Sequence, residues 1–222
     1  GHIRQVDNAL KRNGLSGSSR RQAFVLLRTA LKAAAMDGDI PFSPFSRVDW
    51  RPKAELHPKR ILTMAEKAKL FAINDEWTPL WQILLATGMR SGEVLGLTWD
   101  IIDLDGGRLH IHQSIHRTNG GYRLDVPKTV ASYRTLALRP VVGEVFKKIK
   151  ACQEAEEQRL EGAWKTNCKN HPLITGTEEH TGCTQFVFTR ELGLPVFGPS
   201  AYHRLKTALT SIKAPPARVH DL

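Results

Sequence analysis

Cysteine is scarce in these 222 residues: Cys152, Cys168 and Cys183 are the only three, at irregular spacing. They are too few for a disulfide framework and point to a reducing cytoplasm. No apolar run approaches the roughly 20 residues of a membrane-spanning helix. No secretory signal leads into a cleavage site, and the opening Gly1-His2 reads as the scar of a removed tag. Internal repeats and low-complexity tracts are missing too, which argues against a solenoid or a disordered linker protein. Acidic side chains are the scarcer charge, with 22 Asp and Glu against 32 Lys and Arg and a net charge of +10. A surplus of that size suits a protein that sits on a polyanion, although charge alone does not choose between DNA, RNA and a membrane surface.

The chain begins with Ile3, Val6 and Leu10 at helical spacing, ended by Asn13-Gly14. A longer helix follows, with Ser18 or Ser19 as its expected cap, Phe24, Leu27, Leu31 and Ala34 as its stripe, and Asp37-Gly38 as its stop. Pro41, Pro44, Pro52 and Pro58 exclude a long helix before Leu62. The expected organisation is therefore a small helical domain over residues 1–50, a basic linker over 51–62 and a larger domain over 63–222. Residues 1–62 hold twelve Lys and Arg against five Asp and Glu, so most of the positive charge lies in the first domain and the linker. Thr63-Met64-Ala65-Glu66 is a capping box for a helix through Phe71, and Trp77 to Ala86 continues the helical core.

The stretch from Leu84 to Leu104 organises the rest. An apolar helix stops at Gly88, the residue best able to turn left-handed past a helix end. A new helix starts, with Ser91 as its expected cap, Glu93 in its first turn, and Val94, Leu95 and Leu97 as its buried face. Arg90 is thereby fixed at the junction, ahead of a helix N-terminus, either as a phosphate ligand or as a surface partner of Glu93. The period then changes to that of strands. Arg108 to Ile115 alternates, Asn119-Gly120-Gly121 turns, Tyr122 to Val126 returns, and Tyr133 to Leu138 adds a third strand. Pro140 opens a Lys- and Glu-rich helix to about Leu160. An irregular insertion, the run Phe186-Val187-Phe188 and a helix from about Ser200 to Ile212 complete the chain. The fold class is mainly α with a small antiparallel sheet, an α+β arrangement.

Four pieces stand in order: Thr87-Gly88-Met89-Arg90-Ser91-Gly92-Glu93 with Leu97-Thr98-Trp99; Pro127-Lys128-Thr129 with Ser132 and Arg134; Val187-Phe188-Thr189; and His220-Asp221-Leu222. In these the chain resembles the tyrosine recombinase, or phage-type integrase, family. The resemblance implies a catalytic fold of that type over most of residues 63–222, preceded by part of a helical core-binding domain. It implies site-specific recombination of double-stranded DNA through a 3′-phosphotyrosine intermediate, with no metal or other cofactor, by protomers assembled as a DNA-bound tetramer. Arg90 matches the first phosphate-binding arginine, with Glu93 as its support. Lys128 matches the lysine that protonates the 5′ leaving oxygen, and His220 the first residue of a His-x-x-Arg box. The family's second arginine and its tyrosine nucleophile have no match, and Tyr122, Tyr133 and Tyr202 do not stand where the nucleophile belongs. The expectation is a fragment that does not cleave DNA by itself. A catalytically silent architectural relative, and a topoisomerase or resolvase with the same chemistry, are the alternatives.

Two further groups are candidates. His203, Arg204 and Lys206 give the late helix a basic face, expected either to lie against DNA or to be plain solvated surface over Leu205 and Leu209. Cys168, His171, His180 and Cys183 have donors and a spacing that one tetrahedral zinc could use, but in an unusual order, and the family does not call for it.

Overall fold

The computed structural model describes residues 2–47, 51–53, 60–119, 121–125, 133–160, 163–164, 174–175, 185–219 and 222. The chain divides into two compact units, Gly1–Lys59 and Arg60–Leu222.

The first unit is built on helices α1 (His2–Arg12) and α2 (Gly17–Met36) and a 3-10 turn at Pro44–Arg47. Neither Ser18 nor Ser19 caps α2. The cap is Ser16, whose hydroxyl accepts the Ser19 N–H at 3.1 Å, because the backbone leaves the extended region after Ser16, two residues before the earlier of the expected caps. Phe24 meets Phe45 edge to face, with Arg28 over the Phe45 ring. Asp7, not its neighbour Val6, is the buried member of α1, and it pairs with Arg20 at 2.8 Å.

In the second unit, α3 (Met64–Ala72) begins at the Thr63–Glu66 capping box, as its sequence demands. Helices α4 (Thr78–Thr87) and α6 (Pro140–Arg159) pack together, and α5 (Ser91–Leu95) and α7 (Gly198–Ser211) join them around a core that includes Trp81, Leu84, Leu97, Phe146 and Leu205. Gln153 of α6 reaches across the core. Its amide donates to the carbonyls of Phe186 and Val187 and to Thr189 Oγ1, while its oxygen accepts from Trp99 Nε1. The apolar run 186–188 is thus pinned along Leu97–Trp99.

One strand expected over Arg108–Ile115 is two, and one sheet is two. Strands β1 (Ile102–Asp103), β2 (Arg108–Ile111) and β5 (Arg134–Ala137) form an antiparallel sheet in the order β1-β2-β5. Strands β3 (Ser114–Thr118) and β4 (Gly121–Asp125) form an antiparallel pair, which β6 (Ile174–Thr175) joins in parallel. Inward alternation runs unbroken through Leu109, Ile111, Gln113 and Ile115, which is why the sequence reads as one strand. The hydrogen-bond partner changes at Gln113. Its side-chain amide donates to Gly96 O at 2.7 Å and Thr98 Oγ1 at 2.9 Å, tying the break between strands to the end of α5. Among the described residues no helix is long and apolar enough to cross a membrane.

Candidate functional site

Helix α4 ends as expected at Gly88, which takes φ +62° while its N–H closes on Leu84 O. Met89 plugs the core and Arg90 turns extended, at φ −67° and ψ 148°. Arg90, not Ser91, occupies the cap position of α5, because the turn's carbonyls are already engaged there: Arg90 O accepts the N–H groups of Glu93 and Val94, each at 3.0 Å. The Glu93 carboxylate folds back to accept the Arg90 backbone N–H at 2.9 Å. Helix α5 is one short turn, so the guanidinium supplies the local positive charge rather than an appreciable helix dipole. Its glycines let it lie on β3. A Cβ on Gly96 would stand 2.9 Å from the Ile115 backbone nitrogen.

Glu93 is the hub. Its Oε1 accepts from Arg90 Nη1 at 2.9 Å and from Arg134 Nη1 at 3.1 Å, and its Oε2 accepts from Arg134 Nη2 at 2.7 Å. Arg134, on β5, therefore grips both carboxylate oxygens in the fork arrangement that guanidinium favours. The Glu93 side chain is 7% exposed, Arg134 31% and Arg90 70%. Burial pushes the Glu93 pKa up, but hydrogen bonds from Arg134 and the Arg90 backbone, with the charge of Arg134 and the hydrogen bond from the Arg90 side chain, overcome it and hold the carboxyl below its ordinary range. The reciprocal contact with Glu93 raises the Arg134 pKa. Two cations on one anion leave a net positive charge, and it is carried by the member that faces solvent.

Arg90 opens into a cleft of about 450 Å³. Ser91 and Gly92 of α5, Ser114, His116 and Arg117 of β3, Tyr122 and Asp125 of β4, and Phe197 to Pro199 at the start of α7 line it. Ser114 Oγ and His116 Nε2 are 2.8 Å apart. Tyr122 stacks on Phe197 at 4.3 Å with the planes 10° apart, and Arg190 covers the Phe197 ring from 4.2 Å. Burial raises the Tyr122 pKa, opposed by the charges of Arg117 and Arg190.

Of the residues singled out in the sequence, Arg90 and Glu93 meet here. Lys128 and His220 lie outside the described residues, as do Cys168, His171, His180 and Cys183. Among the described residues no cluster of His, Cys, Asp and Glu could hold a metal. His203, Arg204 and Lys206 are exposed along α7, beyond the part of that helix that reaches the cleft. Arg204 stands over the Trp77 ring at 5.6 Å and 3.7 Å from Glu76. Arg134 was visible in the sequence as part of a motif but without a role. Its position one strand beyond the lysine motif, opposite in charge to the lone glutamate of the arginine motif, was the available signal.

No protein-family model matches the chain. The transposase from transposon Tn916 of Enterococcus faecalis is 28% identical over 163 residues, which are 67% of this chain and 40% of the transposase. In three dimensions, the integrase of transposon Tn1549 in complex with transposon right-end DNA superposes with a TM-score of 0.79 at 22% identity, over 99% of this chain and 68% of that one. The fold is that of the tyrosine recombinases. A second solved tyrosine recombinase, lambda integrase as a tetramer bound to a Holliday junction, matches with a TM-score of 0.62 at 16% identity, over 99% of this chain and 55% of that one. The chain spans well under half the length of the transposase it matches, 40% of it.

Proposed function

We propose that this chain is the phosphate-gripping part of a site-specific DNA recombinase that integrates a mobile element through a 3′-phosphotyrosine intermediate. The carrying observation is that Arg90 is anchored through one Nη to a buried carboxylate while 70% of its side chain stays open to the cleft. A guanidinium has five N–H donors, so anchoring leaves most of them for the non-bridging oxygens of a phosphodiester. In such a reaction a tyrosine oxygen attacks phosphorus, the phosphate becomes esterified to the tyrosine, and the 5′ oxygen leaves with a proton. Negative charge grows on the non-bridging oxygens in the transition state, and fixed donors stabilise it there most. Arg90 fills that role, Lys128 delivers the proton and His220 holds the phosphate.

None of Tyr122, Tyr133 and Tyr202 is the nucleophile, and the 222 residues alone do not cleave DNA. Tyr122 is the one of the three in the cleft, but it is buried and stacked, with a raised pKa that opposes its use as an oxyanion. The partners are double-stranded DNA and further protomers of the same recombinase. The DNA complex of the Tn1549 integrase and the tetrameric lambda integrase support both. His203, Arg204 and Lys206 offer exposed basic groups for duplex contact.

The test uses the full-length protein. Arg90→Ala is expected to slow covalent capture of a nicked suicide duplex by roughly 100- to 1,000-fold, the cost of losing one transition-state donor, with duplex affinity little changed. Undiminished capture removes Arg90 from the active site. Relaxation of any supercoiled plasmid without exchange between sites indicates a topoisomerase instead.

A further inference from the structure

The contact that the recombinase reading does not itself require is the one from Arg134. We infer that Arg134 is a positioning residue whose grip on Glu93 keeps that carboxylate from capturing Arg90, so that Arg90 remains turned to the cleft as a charged phosphate ligand. This inference rests on the proposed function of Arg90 and deepens it.

The geometry carries the argument. A buried carboxylate beside one arginine normally takes it in a two-pronged pair, which neutralises the guanidinium and draws it in. Here that position is filled. Arg134 holds both Glu93 oxygens, at 3.1 Å and 2.7 Å, and Arg90 reaches Oε1 through Nη1 at 2.9 Å. Exposure follows the same division, with Arg134 at 31% and Arg90 at 70%. Charge follows it as well. With Arg134 the trio bears one net positive charge, and without it Arg90 and Glu93 cancel. Arg134 comes from β5, 41 positions from Glu93, so the β1-β2-β5 sheet is what holds the trio in register. Other ionisable groups around the cleft are His116 and Arg117 on β3, and Tyr122 and Asp125 on β4, Asp125 being itself paired with Arg123.

The experiment compares Arg134→Gln, Arg134→Lys and Arg90→Ala in the full-length protein, with covalent capture measured across pH and duplex affinity measured in parallel. Arg134→Gln is expected to cut capture by roughly 10- to 100-fold, the range found for residues that orient a functional group from behind. The loss should shrink as pH falls, because Glu93 without the Arg134 donors that oppose its burial takes up a proton more readily and then releases Arg90. Arg134→Lys restores the charge without the fork and should recover part of the rate. A rate loss of the same size at every pH, or no rescue by Lys, would reduce Arg134 to a packing role and overturn the inference. Normal capture by Arg134→Gln overturns it as well, while loss in Arg90→Ala keeps the reading of Arg90. Should Arg134→Gln fail to fold, Arg134→Lys decides alone: a rate and pH profile identical to the parent's would refute the need for the two-pronged grip. If Arg90→Ala captures normally, the recombinase reading itself falls.

Discussion

Each unit of the chain buries a carboxylate against guanidinium, and the two sites differ in what surrounds them. Asp7 and Arg20 form a closed pair, both side chains 10% exposed and neutral together. Arg20 Nε finds no hydrogen-bond partner among the described residues, so even this pair is not fully satisfied. Glu93 is as deeply buried but holds two guanidinium groups, one of which faces water. A sealed neutral pair offers nothing to a ligand, whereas an anion with two cations and an open side directs positive charge outward. Burial of a charge therefore does not by itself mark a functional site; stoichiometry and exposure decide.

Mutations can break or sharpen this contrast. The largest effect is expected from Asp7→Ala. It strands a buried guanidinium, and removing one partner of a buried pair costs about 3–5 kcal/mol. Hydrogen exchange of the α1 and α2 amides should report that loss in residues 1–59; an unchanged exchange pattern would show the pair to be dispensable. Glu93→Gln should cost less, about 1–2 kcal/mol, because water can resolvate Arg90 and partly Arg134. Its signature is in the pH dependence. The folded Glu93 pKa is depressed, so its stabilisation is present above the ordinary glutamate range and is lost as pH falls through the folded value. Glu93→Gln should remove that part of the acid limb in pH-dependent denaturant unfolding, and an unaltered limb would show that Glu93 is not held ionised.

Local signals carried much of the helical frame. The Thr63–Glu66 capping box, the left-handed Gly88 and the Pro140 helix start are set by neighbours within one turn, so they are legible in the chain. What depends on distant partners was not. The strand switch at Gln113 follows from hydrogen bonds to Gly96 and Thr98, and the alternation of buried residues continues across it without a mark. The site divided the same way. Arg90 and Glu93 are three residues apart on one short turn, and their pairing could be weighed from spacing alone. Arg134 reaches the same carboxylate only because β5 pairs with β2, a register that no local pattern fixes.

The claim that most needs testing is that the open guanidinium of the Glu93 cluster receives a DNA phosphate while the sealed one does not. Nitrogen-15 NMR of arginine side chains, recorded as a short duplex is added to the 222-residue chain, follows both at once. The account predicts that the Arg90 signals shift on saturation and those of Arg20 stay in place. An unmoved Arg90 in a chain whose other signals show it bound to DNA would contradict it.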